Sequence, residues 1–203
     1  MAFIPVCEPM LAGNELKYVT EAVSTGWISS SGKYVTEFEN QFAEYCGRKY
    51  GIAVCNGTIA LHLALIGLGI GKGDEVIVPT FTMIASAFAV CYTGAKPVFV
   101  DADKDTWNID VKKIEEKITS KTKAIMPVHI FGKMCDMDAI HALAKKYNLY
   151  VLEDAAEAHG ASYHGVKAGA SSDIAAFSFF ANKNITTGEG GMVVTNNKEV
   201  YDR

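Results

Sequence analysis

The sequence predicts an α/β fold, with a mostly parallel seven-stranded sheet and flanking helices. Three observations carry that expectation. Seven short apolar runs, most of them β-branched, lack the polar alternation of half-exposed strands and suit strands buried on both faces. Helical stretches separate most of the runs, as a parallel sheet requires. Polar and glycine-rich segments directly follow several of them, where open α/β sheets place their ligands.

The first fifty residues read as a helical segment ahead of an α/β domain over residues 51–203. Leu16, Val19 and Val23 repeat at helical spacing after Asn14, and Gly26 stops the run. The loop Gly26-Trp-Ile-Ser-Ser-Ser-Gly-Lys33 follows, with an exposed Trp27. Thr36-x-x-Glu39 reads as a capping box opening a second helix, which packs Phe38, Phe42 and Tyr45 inward and ends at Gly47. The strands then expected are Gly51–Cys55, Glu75–Pro79, Pro97–Val100, Lys123–Val128, Leu149–Asp154, Ile174–Phe179 and Gly191–Asn196. Helices are expected at Thr58–Leu68, Thr82–Tyr92, Val111–Ile118 and Asp136–Tyr147. No helix is evident between the last two strands, so part of the sheet is expected to be antiparallel. Asn196-Asn-Lys-Glu-Val-Tyr201 begins a further helix with no closing element behind it, which points to a longer protein.

Composition narrows the function. The chain has 203 residues, 49% hydrophobic and 21% charged, which excludes a disordered or fibrous protein. A net charge of −4 gives no basic face for nucleic acid. The start has no basic leader, and the longest apolar stretches, Ile59–Leu68 and Met83–Tyr92, are too short to span a bilayer. Five scattered cysteines read as reduced, buried small hydrophobes of a cytoplasmic protein, and no metal-ligand spacing occurs among the histidines. Only two of the 19 basic residues are arginines, Arg48 and Arg203, so an anion bound here relies on other donors.

The strand ends supply the candidate chemistry. Asn56-Gly57-Thr58 places free backbone N–H groups and a hydroxyl at a helix N-terminus, a phosphate site without arginine, or else an ordinary strand-to-helix turn. Asp154 ends an apolar strand and can keep a pyridine nitrogen protonated; a helix cap or a metal ligand is the alternative. Lys183, between an apolar strand and a glycine-rich turn, can be desolvated enough to form a Schiff base, although most lysines are solvated surface charges. Ser178 offers a hydroxyl to a phosphate, or bonds its own backbone. Trp27, Ser29 and Ser30 offer an aromatic face and hydroxyls suited to a sugar. Gly67-x-Gly69-x-Gly71-x-Gly73 follows a helix and precedes a strand, which makes it a helix cap and connector and not a dinucleotide fingerprint. Asp101, Asp103 and Asp105 lack the glycine and glutamate of a calcium loop and read as a solvated turn.

From Ile4 to Arg203 the chain resembles the sugar aminotransferases of nucleotide-sugar biosynthesis, the DegT/DnrJ/StrS group. The resemblance rests on Gly26–Lys33, Asn56-Gly-Thr-Ile-Ala-Leu-His-Leu-Ala-Leu65, Asp74-Glu-Val-Ile-Val-Pro-Thr-Phe-Thr82, Glu153-Asp-Ala-Ala-Glu-Ala-His-Gly160 and Phe177-Ser-Phe-Phe-Ala-Asn-Lys183 through Gly191. It implies the large domain of a fold-type I enzyme that uses pyridoxal 5'-phosphate. Lys183 is then the covalent attachment point and the acid–base of the proton shift. Asp154 meets the pyridine nitrogen, and Gly57, Thr58 and Ser178 hold the phosphate. Met83 lies over the ring, where many members carry an aromatic residue. Glu157 stands beside the ring, where many carry glutamine. Members are nearly twice this length and form homodimers with shared sites. The wording is nearest to members that aminate C4 of GDP-4-keto-6-deoxymannose with glutamate, ahead of UDP- or dTDP-linked keto sugars. The rivals are a same-fold sugar dehydratase, which carries histidine where Lys183 stands, a non-catalytic regulator that binds the cofactor, and a dinucleotide-binding module.

Overall fold

A computed structural model describes residues 3–5 and 7–203. Met1, Ala2 and Val6, part of the stretch read as lacking a basic leader, lie outside the described residues. Seven strands form one sheet: β1 (Tyr50–Val54), β2 (Glu75–Pro79), β3 (Lys96–Val100), β4 (Thr122–Ile125), β5 (Tyr150–Asp154), β8 (Ile174–Ser178) and β9 (Gly191–Thr195). Their order across the sheet is β1-β9-β8-β5-β4-β2-β3. β9 pairs antiparallel with both β1 and β8, and the other pairings are parallel. One reversed strand in a parallel sheet accounts for the missing helix between β8 and β9. A hairpin of β6 (Ser162–Tyr163) and β7 (Val166–Lys167) escaped the sequence pattern because each strand has only two residues. Its turn is His164-Gly165, both left-handed.

Helices cover both faces. α3 (Gly57–Gly67) and α4 (Ala85–Tyr92) pack on one, where Leu61, Leu65, Val76, Val78, Leu152 and Ala176 are buried together. On the other face, α2 (Lys33–Tyr45) sets Phe42 and Ala43 against Phe177, Phe179 and Met192, and α5 (Met137–Tyr147) sets Ile140 against Ile125 and Val151. Alternate residues of β5 and β8 therefore serve opposite layers, with even positions toward α3 and α4 and odd positions toward α2 and α5. That parity decides where each strand-end side chain points. α1 (Glu15–Ser24) and α6 (Lys198–Asp202) bury no residue. Leu16, Val19 and Val23 hold the expected helical spacing on α1, all of them exposed.

Five expectations need correction. α2 begins at Lys33 behind Gly32, so Thr36 lies inside it, and Glu39 does not close a capping box: its Oε1 accepts the Ala53 N–H of β1 at 2.9 Å. Tyr45 is 45% exposed instead of packed inward, and Lys167 stacks on its ring, with Nζ 3.7 Å from the centroid. Val111–Ile118 is not an α-helix but two 3₁₀ turns, Val111–Lys113 and Glu115–Lys117. Each closes onto the carbonyl three residues back, and only Ile114 is driven fully into the core, so one short β-branched stretch has too little to bury to sustain a longer helix. Of the cysteines only Cys46 and Cys135 are buried; Cys55 lies beyond the end of β1 and Cys91 on the outer side of α4, both exposed. α4 also starts at Ala85, after Thr80 N–H has extended the ladder by bonding Val100 O.

The start of β9 lies against the turn that opens α3. A Cβ on Gly191 would stand 2.3 Å from Asn56 O and 2.5 Å from Asn56 C, backbone atoms with no freedom to yield. Gly191→Ala is expected to lower stability by about 1–3 kcal/mol. Gly71→Ala, whose Cβ would meet nothing nearer than 3.6 Å, should stay within about 0.5 kcal/mol of the parent. Parallel thermal melts of the two variants separate a backbone clash from a general cost of losing glycine.

Candidate active site

The carboxyl ends of β1, β5 and β8 open into one cleft of about 380 Å³. Gly57, Thr58, Met83, Asp154, Glu157, Ser178 and Lys183 all line it. Trp27, Ser29 and Ser30 do not: they stand exposed on the connection between α1 and α2, where Ser29 Oγ bonds back to Ser31.

One wall is the N-terminus of α3. Asn56 caps it, its Oδ1 accepting the Ile59 N–H at 2.9 Å. The N–H groups of Gly57 and Thr58 therefore face outward with no acceptor inside the helix. Ser178, an even position at the end of β8, lies against this turn. A Cβ on Gly57 would come within 2.7 Å of Ser178 Cβ, so only glycine lets helix and strand end meet. The two amides and the Thr58 and Ser178 hydroxyls give the wall donors without a formal charge, which suits an anion.

Asp154 forms the floor. It is 4% exposed and faces the layer of α3 and α4. Its Oδ2 accepts from Ser86 Oγ at 2.7 Å and its Oδ1 from the Ala156 N–H at 3.2 Å. Burial pushes its carboxyl above the ordinary value, opposed by those two bonds and by the nearby His129 and Lys183. Such a group gains from a cationic N–H in the cleft, which would offset the cost of its burial.

Lys183 closes the far side on the loop from β8 to β9. The loop is tied to itself: Phe179 exchanges bonds with Gly190 O and Thr187 N–H, and Lys183 N–H bonds Phe180 O. Lys183 Nζ, with its side chain 15% exposed, is 3.1 Å from Glu157 Oε1. Glu157 Oε2 accepts the Phe131 N–H at 2.9 Å, so the acid holds both the lysine and the neighbouring loop. Lys183 is the one lysine or arginine lining the cleft. An amine this sheltered, an acid for a ring nitrogen and an uncharged anion cradle fit a phosphorylated pyridine aldehyde. Met83, 72% exposed at the rim, is the flexible side chain available to cover its ring.

Beneath the cleft, on the opposite face of the same strand end, Glu153 is fully buried. Its Oε2 is 3.0 Å from His129 Nε2 and accepts the Gly169 N–H at 2.8 Å, and its Oε1 accepts the Ser172 N–H at 3.2 Å. Cys135 N–H donates to His129 Nδ1, which places the ring proton on Nε2, pointing at Glu153. Arg48, also buried, bonds the carbonyls of Gly169 and Ser172. His159 is buried beside Phe42, Phe177 and Phe179 with neither ring nitrogen partnered. Burial and the nearby Lys183 charge push it down to about 4, so it is neutral near pH 7.

Sequence reasoning singled out the cleft residues but missed Ser86, His129 and the burial of Glu153. Signals for the first and last were present. Thr82 and Ser86 are four apart after a strand end, and consecutive acids at the end of an apolar strand must face opposite layers. His129 carried none.

The chain is similar to known proteins over nearly its whole length. The model of the DegT/DnrJ/EryC1/StrS aminotransferase family matches residues 9–203. A GDP-perosamine synthase of Escherichia coli O157:H7 is 59% identical over 203 residues, which is 100% of this chain and 56% of that protein. The aminotransferase from Psychrobacter cryohalolentis superimposes with a TM-score of 0.92 at 45% identity, over 98% of this chain and 51% of that one. NtdA of Bacillus subtilis with bound cofactor PMP gives a TM-score of 0.84 at 40% identity, over 91% and 42%. The chain spans about half the length of the curated relatives it matches.

The Glu153 bonds have a consequence in acid. Burial alone would raise this carboxyl, but the His129, Ser172 and Gly169 donors win and hold it at about 2 against a reference of 4.5. A depressed pKa in the folded state means stability fully present above 4.5 and lost as pH falls toward 2. Glu153→Gln should cost about 1–3 kcal/mol near neutrality and flatten the acid limb. Denaturant titrations at several pH values check both; an unchanged slope in the variant would remove Glu153 as its source.

Proposed function

Because the chain belongs to the DegT/DnrJ/EryC1/StrS aminotransferase family, we propose that it forms the cofactor-binding part of a pyridoxal-phosphate-dependent nucleotide-sugar aminotransferase. The acceptor proposed is GDP-4-keto-6-deoxymannose, converted to GDP-perosamine, with glutamate as donor. The observation that carries the chemistry is the placement of Asp154, Lys183 and the α3 N-terminus around one cleft. The 59% identity to a GDP-perosamine synthase carries the choice of sugar. A UDP- or dTDP-linked keto sugar is the second choice. Lys183 stands against the dehydratase alternative, because that class carries histidine at this place.

When bound, pyridoxal 5'-phosphate supplies a carbonyl carbon that takes up an amine and a protonated ring that draws electrons from it. Lys183 Nζ would hold the carbonyl carbon. Gly57 and Thr58 N–H, with the Thr58 and Ser178 hydroxyls, would hold the phosphate. The Asp154 carboxylate would keep the ring nitrogen protonated from the floor. Once displaced by an incoming amine, Lys183 Nζ is free to take a proton from one carbon and return it to another. Glu157 lies within reach of Nζ and can receive its charge between those states. The division proposed is a helical segment over 1–50 and the cofactor-holding unit over 51–203. A second, smaller unit in the full-length protein, and a homodimer with shared sites, would cover the cleft.

Borohydride reduction of the cofactor-loaded full-length protein, followed by peptide mapping, should place the pyridoxyl group on Lys183; label on another lysine ends that assignment. Incubation with glutamate and each keto sugar nucleotide should yield the aminated GDP sugar by mass. Asp154→Asn should cut the rate by a hundredfold or more, since the loss of one preorganised charge partner costs about 3 kcal/mol of barrier.

A further inference from the structure

α4 reads Ala-Ser-Ala-Phe-Ala-Val-Cys-Tyr, and its second residue, Ser86, is fully buried in an otherwise apolar first turn. A hydroxyl in that position is costly unless bonded. Its bonds form a short directed series. Ser86 Oγ is 2.7 Å from Asp154 Oδ2, and Thr82 Oγ1 is 2.7 Å from Ser86 Oγ. An ionised carboxylate can only accept, so the Ser86 proton points to Asp154. The Thr82 proton then points to Ser86, and Thr82 itself lines the cleft. The second carboxylate oxygen is held by the Ala156 N–H of the chain that follows β5.

We propose that Ser86 is a positioning residue, whose hydroxyl, backed by Thr82, fixes the plane of the Asp154 carboxylate and sets its proton affinity. This rests on the reading of Asp154 as partner of the ring nitrogen. A carboxylate on a single Cβ–Cγ bond swivels freely unless its oxygens are held. Asp154 is held from two elements, α4 and the segment after β5. A donor to the carboxylate also favours its charged form, so the Thr82–Ser86 pair works against the burial that raises it. The other titratable groups near Asp154 are His129, from the connection after β4, and Lys183, from the loop after β8, which is itself paired with Glu157. Neither bonds the carboxylate, so the two hydroxyls are its adjustable partners from the α4 side.

The test uses the full-length protein in two states. In the cofactor-free protein, infrared titration of the protonated-carboxyl band, assigned with Asp154→Asn, should move to higher pH in Ser86→Ala. It should move less, in the same direction, in Thr82→Val, which keeps Ser86 in place and the shape of the wall. In the loaded enzyme, kcat should fall roughly tenfold or more in Ser86→Ala with KM for the sugar nucleotide little changed, and the pH midpoint of the bound group's visible absorption should shift. Carboxyl titrations that coincide with the parent in both variants would overturn the proposal, even if Asp154→Asn abolishes turnover. If the loaded parent shows no visible band, the cofactor reading fails on its own, while the titration still decides the role of Ser86.

Discussion

A carboxylate with no exposure at all is the most demanding group in the molecule. Glu153 must be met by donors from every side or it forces the fold apart, since an uncompensated buried charge costs several kcal/mol. The three donors come from two separate stretches of chain: His129 after β4, and Gly169 and Ser172 before β8. Arg48, arriving from the end of α2, bonds the carbonyls of the last two. One side chain thereby ties together the turn after β4, the approach to β8 and, through Arg48, the end of the helix packed on that same face. The next residue along β5, Asp154, inherits that rigidity on the opposite face. The cleft stands on the same clamp.

The two faces of β5 thus divide the work. On the α2 and α5 side, a network satisfied throughout by protein groups gives the strand end one position. On the α3 and α4 side, polar groups remain with capacity unused: two helix-opening amides, two hydroxyls and a lysine that shares its charge with one glutamate. A closed network stabilises, whereas an open one binds. The alternation of a β-strand lets both lie within two residues of each other.

The sheet was legible because its strands are buried on both faces and so carry an uninterrupted apolar signal. All seven were located within a residue or two at most ends, and the antiparallel pairing of β9 followed from the missing helix. The cleft residues were legible because they sit directly after strands, where sequence adjacency and spatial adjacency coincide. Long-range partners were not. Glu39 looks like part of a capping box in sequence, yet its side chain crosses to β1. Ser86 meets Asp154 across 68 positions of chain. Val111–Ile118 carries a helical spacing that tertiary packing does not reward. Trp27, Ser29 and Ser30 have the right chemistry for a sugar, but nothing in their spacing says which surface they face.

The reversed direction of β9 also governs the order in which the sheet can assemble. β8 and β9 follow each other in the chain and pair locally, so their ladder closes at smaller entropic cost than a long-range pairing. β1 has no such choice. Among the described residues it pairs only with β9, Tyr50 opposite Thr195. A chain emerging from the ribosome must therefore carry β1 and the α3 turn without their neighbour until β9 has been made. The donor-lined wall of the cleft, built from the end of β1 on one side and the end of β8 on the other, is completed by that pairing. It is among the last parts of the sheet to exist.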